Sequence, residues 1–186
     1  MRSNVHIRNH PLHPILVLLP VGLWIGSLIF DIVYFSTGNG FWFRAAFWNI
    51  LFGVITALIA AIAGFIDLFT LPMSEAARRT GLTHMTLNLA IVVLYVINLF
   101  TRGYGTPVTT SAAMTPFVLN IISVALLLIS GWLGGEMIYR HGVAVPEAAA
   151  EEATRYARAV PGAGRPGIAG ARGGEAAFPE EEERHQ

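Results

Sequence analysis

Five of the six histidines, two carboxylates and three arginines gather near one end of four apolar segments. His10 and His13 stand in His10-Pro11-Leu12-His13-Pro14, where the first segment begins. His84 opens the third segment, and His141 follows Tyr139-Arg140 at the end of the fourth. Asp67 and Glu136 each lie about four residues, roughly 6 Å of helix, inside that same end. Imidazoles and carboxylates are the side chains that ligate metals and carry protons, and inside a bilayer they are costly enough to point to function.

Two cofactor readings follow. In the first, His13 and His84 reach the bundle axis from opposite sides as the axial pair of a b-type haem. His10 and His141 stand close by as further candidates. Arg78, Arg79 and Arg140 would meet the propionates as charge-assisted pairs, and Asn88 or Asp67 would orient a ligating ring. In the second, His13, His84, Asp67 and Glu136 supply a mixed nitrogen–oxygen set for a metal ion. The alternatives from other classes are a partner-anchoring membrane protein without chemistry and a proton-coupled transporter. No nucleophile–base pair or phosphate loop is visible, and no catalytic residue is assigned.

The elements that must position these residues are membrane helices. The chain has 186 residues, 54% hydrophobic and 13% charged, against about 25% charged in a typical soluble domain. Apolar stretches run from about Pro14 to Phe35, Ala46 to Leu71, Thr83 to Thr101 and Pro116 to Tyr139. Each meets the roughly 20 residues needed to cross a hydrocarbon core. None alternates as a barrel strand would. The expected fold is all-α, an integral membrane bundle of four antiparallel transmembrane helices over residues 1–145. A short cytoplasmic helix over 146–159 and a disordered tail over 160–186 should follow, the tail being too poor in apolar residues to bury a core.

Charge sets orientation. Every basic residue among the 12 is Arg. Arg2, Arg8, Arg78, Arg79 and Arg140 lie on one side, with only Arg44 and Arg102 on the other. The positive-inside rule then places both termini in the cytoplasm of a cell bounded by its inner (plasma) membrane. The lipid bilayer is the first partner. Zero net charge gives no field for nucleic acid. Self-association is left open. The absence of Cys excludes disulfides and thiolate ligands.

Finer expectations concern packing. Pro20 should bend the first helix. Gly22 with Gly26, and Gly131 with Gly135, have the spacing that lets membrane helices approach closely. Asp31 should pair with Arg44 across the short loop. Asn88 and Tyr95 continue the His84 face and should turn inward. Ala63-Gly64-Phe65-Ile66-Asp67 echoes Ser130-Gly131-Trp132-Leu133-Gly134-Gly135-Glu136, and the first and third helices both open on His, which suggests a duplicated two-helix unit.

Read in order, His10-Pro11-Leu12-His13-Pro14-Ile15-Leu16 through Trp24, then Ala63-Gly64-Phe65-Ile66-Asp67-Leu68, then His84 with Asn88, then Ser130 through Val145, the chain resembles the Domain of Unknown Function 2231 family of small bacterial membrane proteins. The resemblance covers about residues 9–145. Related sequences occur fused to Rieske-type iron–sulfur domains or beside cytochrome c-like modules. That implies a redox setting and a redox protein as partner. Some relatives carry His where this chain has Glu136.

Overall fold

The computed structural model describes residues 3–8, 10–103, 109–143, 145, 155–156 and 158–159. Two-residue strands β1 (His6–Ile7) and β2 (His10–Pro11) lead into a short helix α1 (Leu12–Leu16). Four long helices follow: α2 (Leu18–Thr37), α3 (Gly40–Thr70), α4 (Glu75–Arg102) and α5 (Thr110–Tyr139). With α1 joined to α2, four segments of 26, 31, 28 and 30 residues are long and apolar enough to cross a membrane. At 1.5 Å per residue, all exceed the roughly 30 Å hydrocarbon thickness, so their ends reach the headgroup zone or the helices tilt.

The helices begin earlier than hydropathy alone suggests, because polar caps start them. Asn39 accepts from the Phe41 N–H, Ser74 from Ala77, and Thr109 from Ala112. Each satisfies an orphan donor of a first turn. Gly38, at φ 69°, ends α2 in the left-handed conformation, and its N–H donates to the Tyr34 carbonyl. Between α1 and α2 the backbone stays right-handed at Val17, whose N–H donates to the His13 carbonyl and whose carbonyl accepts from Val21. Pro20 has no N–H to give the Leu16 carbonyl, so the ladder is interrupted one turn before it. The effect of Pro20 is thus one missing bond, at Leu16, in a helix that continues on either side of it.

Large apolar side chains point outward along every helix, including Phe100 at 83% and Trp132 at 78% exposure. In water such a surface would aggregate, whereas in lipid it is the expected exterior. The core is narrow. Trp24, Ile50, Val54, Ile91, Tyr95 and Leu127 meet at its centre, and Trp24 stacks on Tyr95 with ring centres 4.4 Å apart.

The packing is tightest within the hairpins α2–α3 and α4–α5, and these two hairpins are equivalent. On the first and third spans, positions 13, 24, 27 and 31 correspond to 84, 95, 98 and 102, each pair 71 apart. On α3 and α5, buried residues at 43, 46, 50, 53, 54 and 60 match buried residues at 113, 116, 120, 123, 124 and 130, each pair 70 apart. His13 meets His84, Trp24 meets Tyr95, and Asp31 meets Arg102. The bundle therefore has a pseudo-twofold axis running along it, with equivalent residues facing each other across that axis.

The third of these pairs corrects the expected Asp31–Arg44 contact. Arg44 is exposed on α3. Asp31 instead accepts from Arg102 Nη1 at 2.8 Å and Nη2 at 2.5 Å, with both side chains 1% exposed. A planar guanidinium matches a carboxylate in this fork, and Arg102 presents it from inside the bundle whereas Arg44 lies on the outer face of α3. Asn120 donates to Asp31 at 2.7 Å, Arg102 Nε donates to Asn98, and Tyr95 donates to Asn120 Oδ1. Helices α2, α4 and α5 are joined by these bonds, and the Arg102 guanidinium also lies 4.7 Å from the centre of the Phe43 ring on α3.

The glycines also differ from expectation. Nothing lies within 4 Å of a Cβ built on Gly22 or Gly131, and both are exposed. Close approach occurs instead at Gly53 under Trp24, Gly64 under His13, and Gly81 under Leu68, while Gly26 abuts Asn49. Of the tail, residues 155–156 and 158–159 are helical and exposed. The remaining boundaries drawn over 146–186 fall outside the described residues.

Candidate functional site

His13 and His84 come together at the end of the bundle that holds the N-terminal strands. Their ring centres are 6.3 Å apart and their planes stand at 89°. They belong to diagonal helices, so each ring reaches the axis past the two intervening helices.

Backbone carbonyls hold both rings. His13 Nδ1 lies 2.9 Å from the Ala60 carbonyl on α3, and His84 Nδ1 lies 2.9 Å from the Ser130 carbonyl on α5. Ala60 and Ser130 are themselves an equivalent pair. A carbonyl only accepts, so in the neutral ring Nδ1 carries the hydrogen and Nε2 keeps the lone pair. That hydrogen-bond pattern fixes ligating histidines elsewhere. Asn88 adds a donor, its Nδ2 lying 3.0 Å from His84 Nε2 and 2.9 Å from the His84 carbonyl.

Glycine makes room for both rings. A Cβ at position 64 would stand 2.7 Å from His13 Nδ1, a clash, and one at 134 would stand 3.3 Å from His84 Cε1. Gly64 and Gly134 are again 70 apart. The two glycines, the two carbonyls and the hydroxyl of Ser130, 3.0 Å from His84 Nδ1, were not among the residues singled out by sequence. Their only signal was the echo of Ala63-Gly64 in Ser130-Gly131, which is three residues out of the register that matches Gly64 with Gly134.

The other candidates are placed around this pair rather than in it. Asp67 is buried but turns toward the N-terminal segment. It accepts from Ser3 Oγ at 2.6 Å, the Asn4 N–H at 2.9 Å and the Val5 N–H at 3.3 Å. Glu136 pairs with Arg140 one turn later, at 2.7 Å. The four-ligand set of His13, His84, Asp67 and Glu136 is therefore not assembled. Among the described residues, no three His, Asp or Glu side chains form a metal-holding group. The carboxylates lie nearer the helix ends, where the strap and Arg140 satisfy them.

His10 is exposed on β2, with Nδ1 3.0 Å from the Arg8 carbonyl. His141 is half-buried in the turn after α5. Arg78 and Arg79 are exposed on the first turns of α4, and Arg79 pairs with Glu75 at 2.8 Å. At six residues from His84, about 9 Å of helix, Arg78 lies nearer the headgroup zone than the histidines.

The arrangement brings two imidazoles of set tautomer together on the axis of the bundle, with the Nε2 lone pair of His84 accepting from Asn88. No curated protein and no solved structure matches the chain. The DUF2231 family, described as predicted membrane proteins, matches residues 9–147, which takes in all four spans and both histidines; this chain is a member of that family.

Proposed function

We propose that the protein is a b-type haem-binding, redox-associated subunit of a bacterial inner membrane, with His13 and His84 as the axial ligands. The distance between their rings carries the proposal. A ligating imidazole nitrogen sits about 2 Å from its metal, and the ring centre about 1 Å further. Two trans imidazoles therefore place their centres roughly 6 Å apart. The 6.3 Å between His13 and His84 agrees with that spacing. Haem brings four equatorial nitrogens of its own, so two protein ligands complete the set. A bare metal ion would need more donors than this pair offers.

The carbonyls of Ala60 and Ser130 would hold each ring in register, and Gly64 and Gly134 would keep the rings close to the neighbouring backbones. Arg78 and Arg140 at the same end suit carboxylate-bearing substituents. When bound, haem supplies one-electron transfer. A redox protein at the same face is the natural partner.

Orientation belongs to the same proposal. The arginine bias favours cytoplasmic termini. It is sharper than a simple count, since Arg102 is neutralised by Asp31. Reporter fusions after Gly38 and between α4 and α5 should report an external location. Cytoplasmic signals at both would reverse the topology.

The cofactor test is spectroscopic. Protein purified in detergent should show a Soret band, and His84→Ala should abolish it while the bundle stays folded. Stoichiometric metal without a Soret band would point to a different site. A chain with neither, indifferent to His84→Ala, would defeat the haem proposal.

A further inference from the structure

The repeat that pairs His13 with His84 extends to the residues before them. Ser3, Asn4, Ile7 and Arg8 stand 71 positions before Ser74, Glu75, Arg78 and Arg79. The two halves treat the last of these residues differently. On α4, Arg79 pairs with Glu75 one turn earlier, at 2.8 Å. In the first half Asn4 stands where Glu75 would, and its backbone N–H and side chain are engaged by Asp67 and Thr70. Arg8 is left exposed and makes no ion pair with a described residue. Beside it Ile7 is 62% exposed. The position equivalent to Ile7 is Arg78, so the first half alone sets an apolar side chain next to its arginine.

Arg8 lies in the turn between β1 and β2, at φ 47°. That left-handed conformation favours glycine, so an arginine is carried there at a cost. The depth of the turn follows from how the strap is fastened. Ser3, Asn4 and Val5 bond to Asp67 and Thr70 in the last turn of α3. α3 has 31 residues, about 46 Å of helix, which matches the roughly 40–45 Å of hydrocarbon core plus headgroup layers. Its last turn therefore stands at headgroup depth, and the strap stands there with it.

We propose that the β1–β2 turn is a docking site for an anionic phospholipid, with Arg8 on the headgroup phosphate and Ile7 against the upper acyl chain. A guanidinium offers phosphate oxygens a fork of donors. An apolar side chain beside a cation suits the boundary between headgroups and acyl chains, where each finds its own solvent. A soluble anion would use Arg8 and leave Ile7 in water. The inference goes beyond the histidine pair and needs no haem.

The test uses the full-length chain in neutral detergent. Phosphatidylglycerol or phosphatidylcholine is titrated in, and bound lipid is read by native mass spectrometry. Wild type should hold phosphatidylglycerol more tightly than phosphatidylcholine. One arginine at an anionic surface contributes about fivefold in binding, so Arg8→Gln should weaken phosphatidylglycerol about fivefold. Arg8→Gly should do the same, since glycine suits the turn and only the guanidinium is lost. Ile7→Ser should weaken it too. Arg79→Gln removes the same charge from an arginine that already has a partner, and should change binding less than twofold.

Equal losses in Arg8→Gln and Arg79→Gln would overturn the site, because net charge alone would then explain the preference. Binding kept in Arg8→Gly but lost in Arg8→Gln would overturn it as well, by tracing the effect to the turn and not to the guanidinium. So would equal affinity of wild type for the two lipids. Displacement of phosphatidylglycerol by inorganic phosphate or by polyglutamate would mark a site for soluble anions and sink the lipid assignment.

Discussion

One methyl group at position 64 would collide with the His13 ring, at 2.7 Å from Nδ1. Gly64→Ala should therefore displace His13, weaken any Soret band and cost about 1–3 kcal/mol in thermal unfolding, the usual penalty of overpacking. Gly131→Leu should change neither, since position 131 faces outward with nothing near it. Equal destabilisation by both would mean that the glycines act through helix propensity and not through the imidazole. The contrast shows what residue spacing can and cannot reveal. Gly22 and Gly131 were read as packing residues from G-x-x-x-G spacing, yet spacing identifies a face without saying whether a neighbour covers it. His13 and His84 were readable because costly side chains at matching depths have few places to go. Asp31 was misassigned because Arg44 is near in sequence, whereas the stabilising partner, Arg102, is 71 residues away and level with it in depth. A carboxylate buried at 1% exposure needs an equally buried cation, so a guanidinium on the bundle axis prevails over one on the exposed face of α3.

At the scale of elements, the four spans follow directly from hydropathy, because a hydrocarbon solvent demands long unbroken helices. Their starts were less visible. Caps at Asn39, Ser74 and Thr109 extend three helices beyond the apolar runs, and a capping hydroxyl or amide carries no hydropathy signal. Pro20 was expected to bend the first helix, and its trace in the structure is one unmatched carbonyl, that of Leu16, with helical backbone continuing through Val17. The strap before α1 was not foreseen at all. Its strands are two residues long, too short for a period to register. It is held by Asp67, a residue picked out as a ligand because its burial demanded a partner. The demand was real, and backbone N–H groups met it.

At the scale of the whole molecule, a faint echo in the sequence becomes a twofold repeat of hairpins once burial is added to spacing. Conservation of residue type had only a part in it. Type is kept at His13 and His84, at Gly64 and Gly134 and at Val54 and Val124, while Phe43 answers Ala113 and Ile50 answers Asn120 with the inward position alone in common. The facing pairs on the first and third spans are mostly unlike partners, and Asp31 against Arg102 is the most unlike. Had each hairpin been free to choose, two copies of the first would set Asp31 against Asp31, and two copies of the second Arg102 against Arg102. An uncompensated buried charge costs about 3–5 kcal/mol, so each half is a poor mate for itself and a good one for the other. Fragments 1–72 and 73–186, expressed together, should co-purify as a one-to-one complex, and each alone should stay unassociated. A stable homodimer of the first fragment would count against this. The covalent link between the halves is then not what selects the pairing: the opposite charges on the axis make the molecule an obligate heterodimer that happens to be carried on a single chain.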